Sequence, residues 1–392
     1  MVEGRAEVVV SSRRKAEEDL SGNYELREEI RHRGGKYFLQ TSFVPEEGRV
    51  VSSFFRDGVP FDSMVRKIEG DPRAEELREM TKEVHGLNKR NFRFLLEARD
   101  STGDSDDPGP HLRLAEALLR RNLLEEAVEE ARSALAKGSK DSRAWMIMGE
   151  AGYRRGEYEK ALQALRQGLE LNPDYPDLHN LMGLVLLREE LCGEAVECFE
   201  RAISLNLYYG EPYLNLVRAY LLNTIVKQDY ELSRGLEGKF RENLKKARQL
   251  NPQLDPSTIE EARRSFERED YQEALDLIDS LETGAGASEL DEMVLELYLT
   301  LNQRGEDLVE EEIEGYLERI NEIIDRNPTY ADAWNSLGIL YTAKCKLLMD
   351  RAGEAFRKAL EINEDYEKAR KNLRLTENDR QGIFILLRAL LD

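Results

Sequence analysis

Cysteine and histidine are scarce in this sequence of 392 residues, which contains three cysteines and four histidines. Cys192, Cys198 and Cys345 include no C-x-x-C pair, and the histidines are scattered along the chain. A structural zinc site needs four clustered nitrogen or sulfur ligands, so the sequence excludes one. An odd number of cysteines without a pairing pattern also favours a reducing compartment. We expect neither a metal ion nor any other cofactor.

Long apolar runs are also absent. The longest run near either end, Ile383 to Leu387, is far shorter than the ~20 residues that span a bilayer. The first residues of the chain contain three consecutive apolar side chains, whereas a signal peptide needs about seven or more. We therefore expect a cytoplasmic protein that does not insert into a membrane.

Sequence motifs that mark common enzymes are missing. The chain has no G-x-G-x-x-G or G-x-x-x-x-G-K-[ST] phosphate loop, no H-E-x-x-H and no G-x-S-x-G. Glu310 to Glu312 form an acidic run opposite apolar helix positions, and a solvated face explains them better than a pair of acid/base carboxylates. Cys192 and Cys198 lie six residues apart, and packing explains them better than a reactive thiol pair. We expect no enzymatic activity.

Acidic residues outnumber basic ones by 78 to 57, which gives a formal charge of −21. The first hundred residues are almost balanced, so the excess lies in residues 101–392. A surface of that sign repels phosphate backbones. Nucleic acid is therefore excluded as an expected partner.

Residues 1–99 are predicted to form a small α+β domain. Apolar and polar side chains alternate between about residues 23 and 68, which is typical of antiparallel strands. Three turn signals divide this stretch into a four-stranded meander: Gly34-Gly35, Glu46-Glu47-Gly48 and Asp57-Gly58. Helical spacing then predicts one helix over about 73–98. Val8 to Val10 could add a further strand.

Residues 100–110, DSTGDSDDPGP, contain no apolar side chain and are predicted to be a solvated linker. The alternation of Asp104 and Asp106 faintly resembles a calcium loop. However, the glycine at the sixth position and the glutamate at the twelfth are missing, and Pro108 interrupts the segment. A calcium site is therefore the weaker interpretation.

After residue 110 the apolar period becomes 3.6, and a longer pattern repeats every 34 residues. The pattern Trp145, Met148, Gly149, Ala161 and Pro173 returns as His179, Met182, Gly183, Ala195 and Leu207. The first half of the pattern occurs again as Trp334, Leu337, Gly338 and Tyr341. The second half follows as Ala352, Phe356 and Ala359, about two residues later than a 34-residue repeat would place it.

This pattern resembles the tetratricopeptide repeat, which has a bulky residue at position 4, Gly or Ala at position 8, and Ala at positions 20 and 27. The resemblance implies a mainly α fold over 111–375, a right-handed superhelix of helix pairs with a concave inner surface. Irregular units are expected at 221–240 and 284–326, where the pattern is broken. Residues 376–392 are expected to form an apolar C-terminal capping helix.

In this repeat family the inner groove is lined mainly by positions 2, 5, 9 and 12 of each first helix. Transferred to this sequence, those positions are Arg143, Met146, Glu150, Tyr153, Asp177, Asn180, Leu184, Leu187, Glu211, Leu214, Arg218 and Leu221. We expect Asn180 and Arg218 to be exposed polar groups there. The Lys and Asn clamp of the chaperone-binding members is replaced by Met146 and Glu150, which makes chaperone-tail binding improbable. The apolar groove residues suit an amphipathic helix or an extended apolar peptide.

The expected function is therefore that of a scaffold or adaptor, which grips a protein segment in the groove and assembles a complex. The alternative is a regulatory subunit that acts on an enzyme through the N-terminal domain. The C-terminal segment GIFILLRALLD has more apolar residues than one capping helix can hide. It predicts a homodimer contact through Ile383, Phe384, Leu387 and Leu390, and the alternative is a tail folded onto its own last helices.

Overall fold

A computed structural model describes residues 15–18, 24–68, 73–103, 105–252, 254–281, 310–326 and 331–391, together with Leu295, Leu297, Leu299 and Thr300. The chain forms two compact units. The first is Met1–Ser105 with Ala117–Glu126, and the second is Asp106–Glu116 with Ala127–Asp392. The Val8 to Val10 segment and much of the predicted irregular region 284–326 lie outside the described residues.

The first unit contains an antiparallel sheet in which the strands follow their order in the chain. The strands are β1 (Lys15–Glu18), β2 (Tyr24–His32), β3 (Gly35–Val44), β4 (Arg49–Arg56) and β5 (Val59–Lys67). Strands β2 to β5 are the predicted four-stranded meander. Strand β1 pairs with β2, and its residues, KAEE, show no alternation from which to predict it.

Two tight hairpins join these strands. Arg33 and Gly34 have φ of 46° and 82°, and Asp57 and Gly58 have φ of 52° and 81°. Two successive positive φ values are typical of the type I′ turn, whose twist suits a hairpin. The predicted Gly34-Gly35 turn is therefore displaced by one residue, because Gly35 is already paired with His32.

One long helix, α1 (Ala74–Thr102), packs on the sheet. The ring of Phe92 lies 4.1 Å from that of Phe54 and 5.0 Å from that of Tyr37, measured between centroids. Leu39 and Ile30 are buried with them. The alternation of apolar and polar side chains in the sequence thus corresponds to one face of β3 that packs against the helix.

The predicted solvated linker is shorter than expected. Helix α1 continues to Thr102 and the next helix begins at Pro108, so the described residues outside helices here are Gly103 and residues 105–107. Asp100 accepts hydrogen bonds from His32 Nε2 at 3.0 Å and from Arg33 Nε at 2.9 Å. Charged partners therefore anchor the beginning of this segment. The prediction of a solvated linker depended on the absence of apolar side chains and did not take such ion pairs into account.

The described residues after the first helix are mainly helical, as the resemblance implied. The helices are α2 (Pro108–Arg120), α3 (Leu124–Ala136), α4 (Arg143–Arg154), α5 (Tyr158–Leu171), α6 (Pro176–Arg188), α7 (Cys192–Leu205), α8 (Gly210–Val226), α9 (Tyr230–Ser233), α10 (Leu236–Leu250), α11 (Pro256–Glu267), α12 (Tyr271–Ser280), α13 (Glu310–Arg326), α14 (Ala331–Ile362) and α15 (Glu367–Leu391). Helix α15 begins before the predicted cap at residue 376 and includes it.

Small residues permit the close approach within each helix pair. A Cβ added at Gly149 of α4 would lie 2.6 Å from a methyl carbon of Leu165 in α5. A Cβ added at Gly183 of α6 would lie 2.5 Å from Cε1 of Phe199 in α7. These glycines occupy position 8 of their repeats, and their partners occupy position 24. The pattern therefore marks the contact between paired helices.

The turn inside four of the helix pairs uses a left-handed residue at position 15 of the repeat. Asn122, Gly156, Glu190 and Glu269 have φ of 55°, 72°, 57° and 62°. In the unit that begins at residue 331 this position is Cys345.

The repeat pattern from Trp334 to Ala359 implied two paired helices, and this expectation is wrong. Helix α14 runs through Cys345 as one helix of 32 residues. Its central segment KCKLLMD has neither Gly nor Pro, and Lys, Leu and Met favour a continuing helix.

Candidate functional site

A cavity of about 460 Å³ lies among α4, α6, α8 and α12 of the second unit. Five predicted groove residues line it, namely Tyr153, Leu184, Leu187, Glu211 and Arg218. Five others line it without having been predicted, namely Arg188, Glu190, Leu222, Leu275 and Asp279. The stacking of the helix pairs thus brings residues far apart in sequence to one concave site.

Helix α12 forms one wall because Arg218 of α8 fixes it. The Nε of Arg218 donates to Oδ1 of Asp279 at 2.8 Å, and its Nη2 donates to the carbonyl oxygen of Ile278 at 3.1 Å. The family pattern assigns the inner surface to first helices, whereas α12 is the second helix of its pair. Leu275 and Asp279 were therefore missed, and the broken frame after Tyr220 was the only sequence signal of altered stacking here.

A chain of buried amides joins α6 to α8 beside the cavity. Asn180 Nδ2 donates to the Tyr209 hydroxyl at 3.1 Å, and Asn215 Nδ2 donates to Asn180 Oδ1 at 2.8 Å. Arg218 Nη1 donates to Asn215 Oδ1 at 2.6 Å. The expectation that Asn180 and Arg218 are exposed is wrong, because Asn180 is buried and 14% of the Arg218 side chain is exposed.

Leu214 and Leu221 were predicted to line the groove, but both are fully buried and lie outside the cavity. The residues of α8 that face the cavity are Glu211, Arg218 and Leu222. With 3.6 residues per turn, Leu214 and Leu221 lie roughly 60–80° round the helix from that line, where neighbouring helices cover them. Leu222 takes the place that the prediction gave to Leu221.

The other four predicted residues, Arg143, Met146, Glu150 and Asp177, are partly buried but do not line this cavity. Arg143 binds Asp141 at 2.6 Å and Glu116 at 3.2 Å, and Glu150 pairs with Arg154. Met146 packs beside the apolar cluster of α5 and α6.

Two carboxyl groups at the α6–α8 end of the site have raised pKa values. Burial raises the pKa of Glu211, and hydrogen bonding from Asn180 and the charge of Arg218 offset it only in part. The nearby charge of Asp177 raises it further. Burial likewise raises the pKa of Asp177, against a smaller opposite effect of a hydrogen bond from Tyr209. Two acidic groups therefore lie close together, and the surrounding hydrogen bonds and positive charge offset the effect of their burial only in part.

The opposite wall is aromatic and basic. Arg188 lies over the ring of Tyr153 at 5.8 Å from its centroid, and its Nε donates to the Tyr153 hydroxyl at 3.2 Å. Leu184, Leu187 and Leu222 also line the cavity and supply apolar surface. The site thus combines an apolar middle with charged rims of both signs.

A buried polar network in the first unit has the residue types of a catalytic site. Thr41 Oγ1 lies 2.9 Å from His85 Nδ1, and Lys89 Nζ donates to Glu28 Oε1 at 2.6 Å. Burial raises the pKa of Glu28, but Lys89 and His85 outweigh it and leave the pKa below its ordinary value. Thr41 is fully buried, and only 12% of the His85 side chain and 19% of the Lys89 side chain are exposed, so the network mainly joins α1 to the sheet.

The C-terminal residues predicted as a subunit contact have different surroundings. Leu387 is fully buried among apolar residues of α13 and α14, so it is not available to a second copy. Ile383 is half-buried and Leu390 is exposed. The side chain of Phe384 lies outside the described residues.

No helix in the described part of the chain is long and apolar enough to cross a membrane. Within the same ranges, no three His, Cys, Asp or Glu residues are grouped so that they could hold a metal ion.

Comparison with protein families identifies one repeat directly. A family model described as TPR repeat, the tetratricopeptide repeat, matches residues 149–189. No protein with a curated description matches the sequence.

Parts of this chain are also similar to solved structures. MamA from Desulfovibrio magneticus, from residue 41 to its end, is 20% identical over 45% of this chain and 93% of its own, with a TM-score of 0.35. A thermophilic TPR protein of Thermus thermophilus is 22% identical over 50% of this chain and 96% of its own, with a TM-score of 0.35.

YrrB, described as a TPR protein with an unusual peptide-binding site, is 17% identical over 61% of this chain and 96% of its own, with a TM-score of 0.32. At these values the similarities carry no argument about function. The tetratricopeptide repeat resemblance predicted from the sequence is confirmed by the family match over residues 149–189.

Proposed function

We propose that this chain is a non-enzymatic adaptor that binds a segment of a partner protein in the cavity among α4, α6, α8 and α12. The observation that carries the proposal is the convergence of Tyr153, Leu184, Leu222 and Leu275 on one concave site. Apolar side chains that line a concave surface between stacked helices are typical of a peptide-recognition groove. A cytoplasmic location is part of the proposal, and the scarcity of cysteine favours it.

The chemistry of the cavity indicates what kind of segment binds. Its volume is in the range of small-ligand pockets, which suits a few side chains and not a folded domain. The leucines suit apolar side chains, and Glu211 with the nearby Asp177 suits a basic one. We therefore propose an amphipathic segment with apolar residues on one side and a Lys or Arg that reaches Glu211.

The proposal is tested with a peptide selected against the full chain from a random display library. Its affinity is measured by calorimetry for the unaltered chain and for Leu184→Glu, which places a charge in the apolar middle. We expect at least a tenfold loss, which corresponds to about 1.4 kcal/mol. Leu171→Glu is the matched control, because Leu171 is exposed and lies outside the cavity.

Charge reversal tests the acidic end separately. Glu211→Lys should weaken a peptide that carries a basic residue, and Glu200→Lys, an exposed position of α7 outside the cavity, should not. Melting curves show whether each variant is folded. Unchanged affinity in both folded cavity variants would mean that the peptide binds elsewhere, and the cavity would lose this role.

A further inference from the structure

Helix α14 carries an apolar stripe that is exposed from Trp334 to Leu348 and continues through Ala352, Phe356 and Ala359, which are half-buried. Trp334, Tyr341 and Leu348 recur every seven residues and are 52%, 53% and 53% exposed. Gly338 and Cys345, four residues after Trp334 and Tyr341, are exposed on the same side. Spacings of three and four residues keep a stripe on one face of a helix, the pattern with which one helix packs on another.

This stripe contains both halves of a repeat contact. In the paired helices, position 8 meets position 24, as Gly183 meets Phe199. In α14 the corresponding residues are Gly338 and Phe356, which are 18 residues apart in one continuous helix. Eighteen residues make about five turns, so the two residues lie on the same side and cannot touch. A Cβ added at Gly338 would have no neighbouring atom within 4 Å.

The other sides of α14 are occupied by its own chain. Ala333, Leu340 and Ala343 are buried with α13 and with Leu387 of α15. Arg380 of α15 lies 3.2 Å from Asp350, within ion-pair distance. The exposed residues Tyr341 and Leu348 thus lie on a different face from these apolar contacts.

We propose that the stripe binds the α14 helix of a second copy of this chain, antiparallel to it. Gly338 then meets Phe356 of the second copy, Tyr341 meets Ala352, and Trp334 meets Ala359. These are the contacts of positions 8 with 24, 11 with 20, and 4 with 27 that α4 and α5 make within one chain. The two helices cross near Leu348, where a two-fold axis makes the contact self-complementary.

The side chains that meet in this pairing are also complementary in size. Each large side chain faces a small one, since Tyr341 and Trp334 meet alanines and Phe356 meets a glycine. Between Trp334 and Ala359 the stripe is ~38 Å long and ~10 Å wide. Two copies therefore bury on the order of 800 Å² of surface in total if each stripe is treated as flat. A specific interface needs about 1,000 Å², so this contact lies near the lower limit and depends on interlocking side chains for the remaining area.

The first test compares two leucines of similar exposure on neighbouring helices. Leu348→Glu places a carboxylate at the proposed two-fold axis, whereas Leu386→Glu alters α15, where Leu386 is 51% exposed. Molar mass is measured by light scattering on the full chain at micromolar concentration. We expect a dimer for the unaltered chain and for Leu386→Glu, and a monomer with an unchanged melting curve for Leu348→Glu.

A monomeric unaltered chain overturns the proposal, and so does a dimer that Leu386→Glu dissociates and Leu348→Glu does not. A second test fixes the register with Gly338→Cys and Phe356→Cys in a Cys345→Ser background, with an added oxidant to accept the two electrons of each disulfide. We expect a disulfide-linked dimer on a non-reducing gel. A disulfide within one chain would show that α14 bends into a hairpin and would contradict the dimer.

Discussion

Arg218 of α8 and Asp279 of α12 are joined by a hydrogen bond of 2.8 Å, although 61 residues separate them in the sequence. The same guanidinium donates to the Asn215 side chain and to the Ile278 carbonyl oxygen. One side chain therefore ties the amide chain of α6 and α8 to the helix that forms the far wall of the cavity.

The loss of Arg218 should destabilise the second unit. We expect Arg218→Ala to lower the free energy of unfolding by about 1.5–3 kcal/mol, the usual range for hydrogen bonds to a charged group. Asp279→Ala should cost less, because about half of the Asp279 side chain is exposed. Denaturant titration of both variants and the double variant measures their coupling, and strictly additive effects would contradict the bond.

Two glycines at the same repeat position should respond in opposite ways to alanine. Gly183→Ala forces a methyl group against Phe199 and should cost about 1–3 kcal/mol. Gly338→Ala meets open space in the monomer and should stabilise α14 by up to about 1 kcal/mol through helix propensity. Thermal melting in the Leu348→Glu background separates this effect from dimer formation. A destabilised Gly338→Ala monomer would show that the face of α14 is covered within the chain.

Position 8 of the repeat was predicted from the sequence because a close helix contact tolerates only the smallest side chains. Gly149 and Gly183 fulfil that prediction. The same motif at Gly338 gave a wrong local structure, because residue type alone does not show whether the partner helix folds back. The turn depends on a left-handed residue at position 15, and Cys345 with its helix-forming neighbours continues the helix instead.

Glu211 should make stability depend on pH. Its pKa is raised in the folded chain, so between the ordinary value and the raised one the folded state binds more protons than the unfolded state. Stability therefore falls as the pH rises through that interval and stays lower above it. Glu211→Gln should raise the melting temperature at neutral pH and change it little below the ordinary glutamate pKa. Melting curves of the two proteins that run parallel across this range would contradict the raised pKa.

Leu387 and Leu386 are adjacent in α15 but should differ in their contribution to folding. Leu387 is fully buried against α13 and α14, so Leu387→Ala should cost about 2–5 kcal/mol. Leu386 is exposed, and Leu386→Ala should change stability by less than about 0.5 kcal/mol. Chemical denaturation checks both. Equal effects would mean that α15 does not pack through Leu387.

The cavity was only partly predictable. Tyr153, Leu184 and Glu211 were found because repeat positions fix the side of a first helix. Leu275 and Asp279 could not be found, since their place depends on how α12 packs on α8. Asn180 was expected to be exposed because it is polar, but hydrogen bonds to Tyr209 and Asn215 make its burial favourable.

The most direct test of the adaptor function is to locate a bound peptide. A photo-crosslinking phenylalanine analogue is placed at Leu222, which lines the cavity, or at Leu207, which is exposed and lies outside it. Each protein is irradiated with the peptide selected against the full chain, and mass spectrometry identifies the linked product. We expect a crosslink from position 222 and none from position 207. A crosslink from position 207 alone, with binding intact in both proteins, would contradict the proposal that the cavity holds the partner.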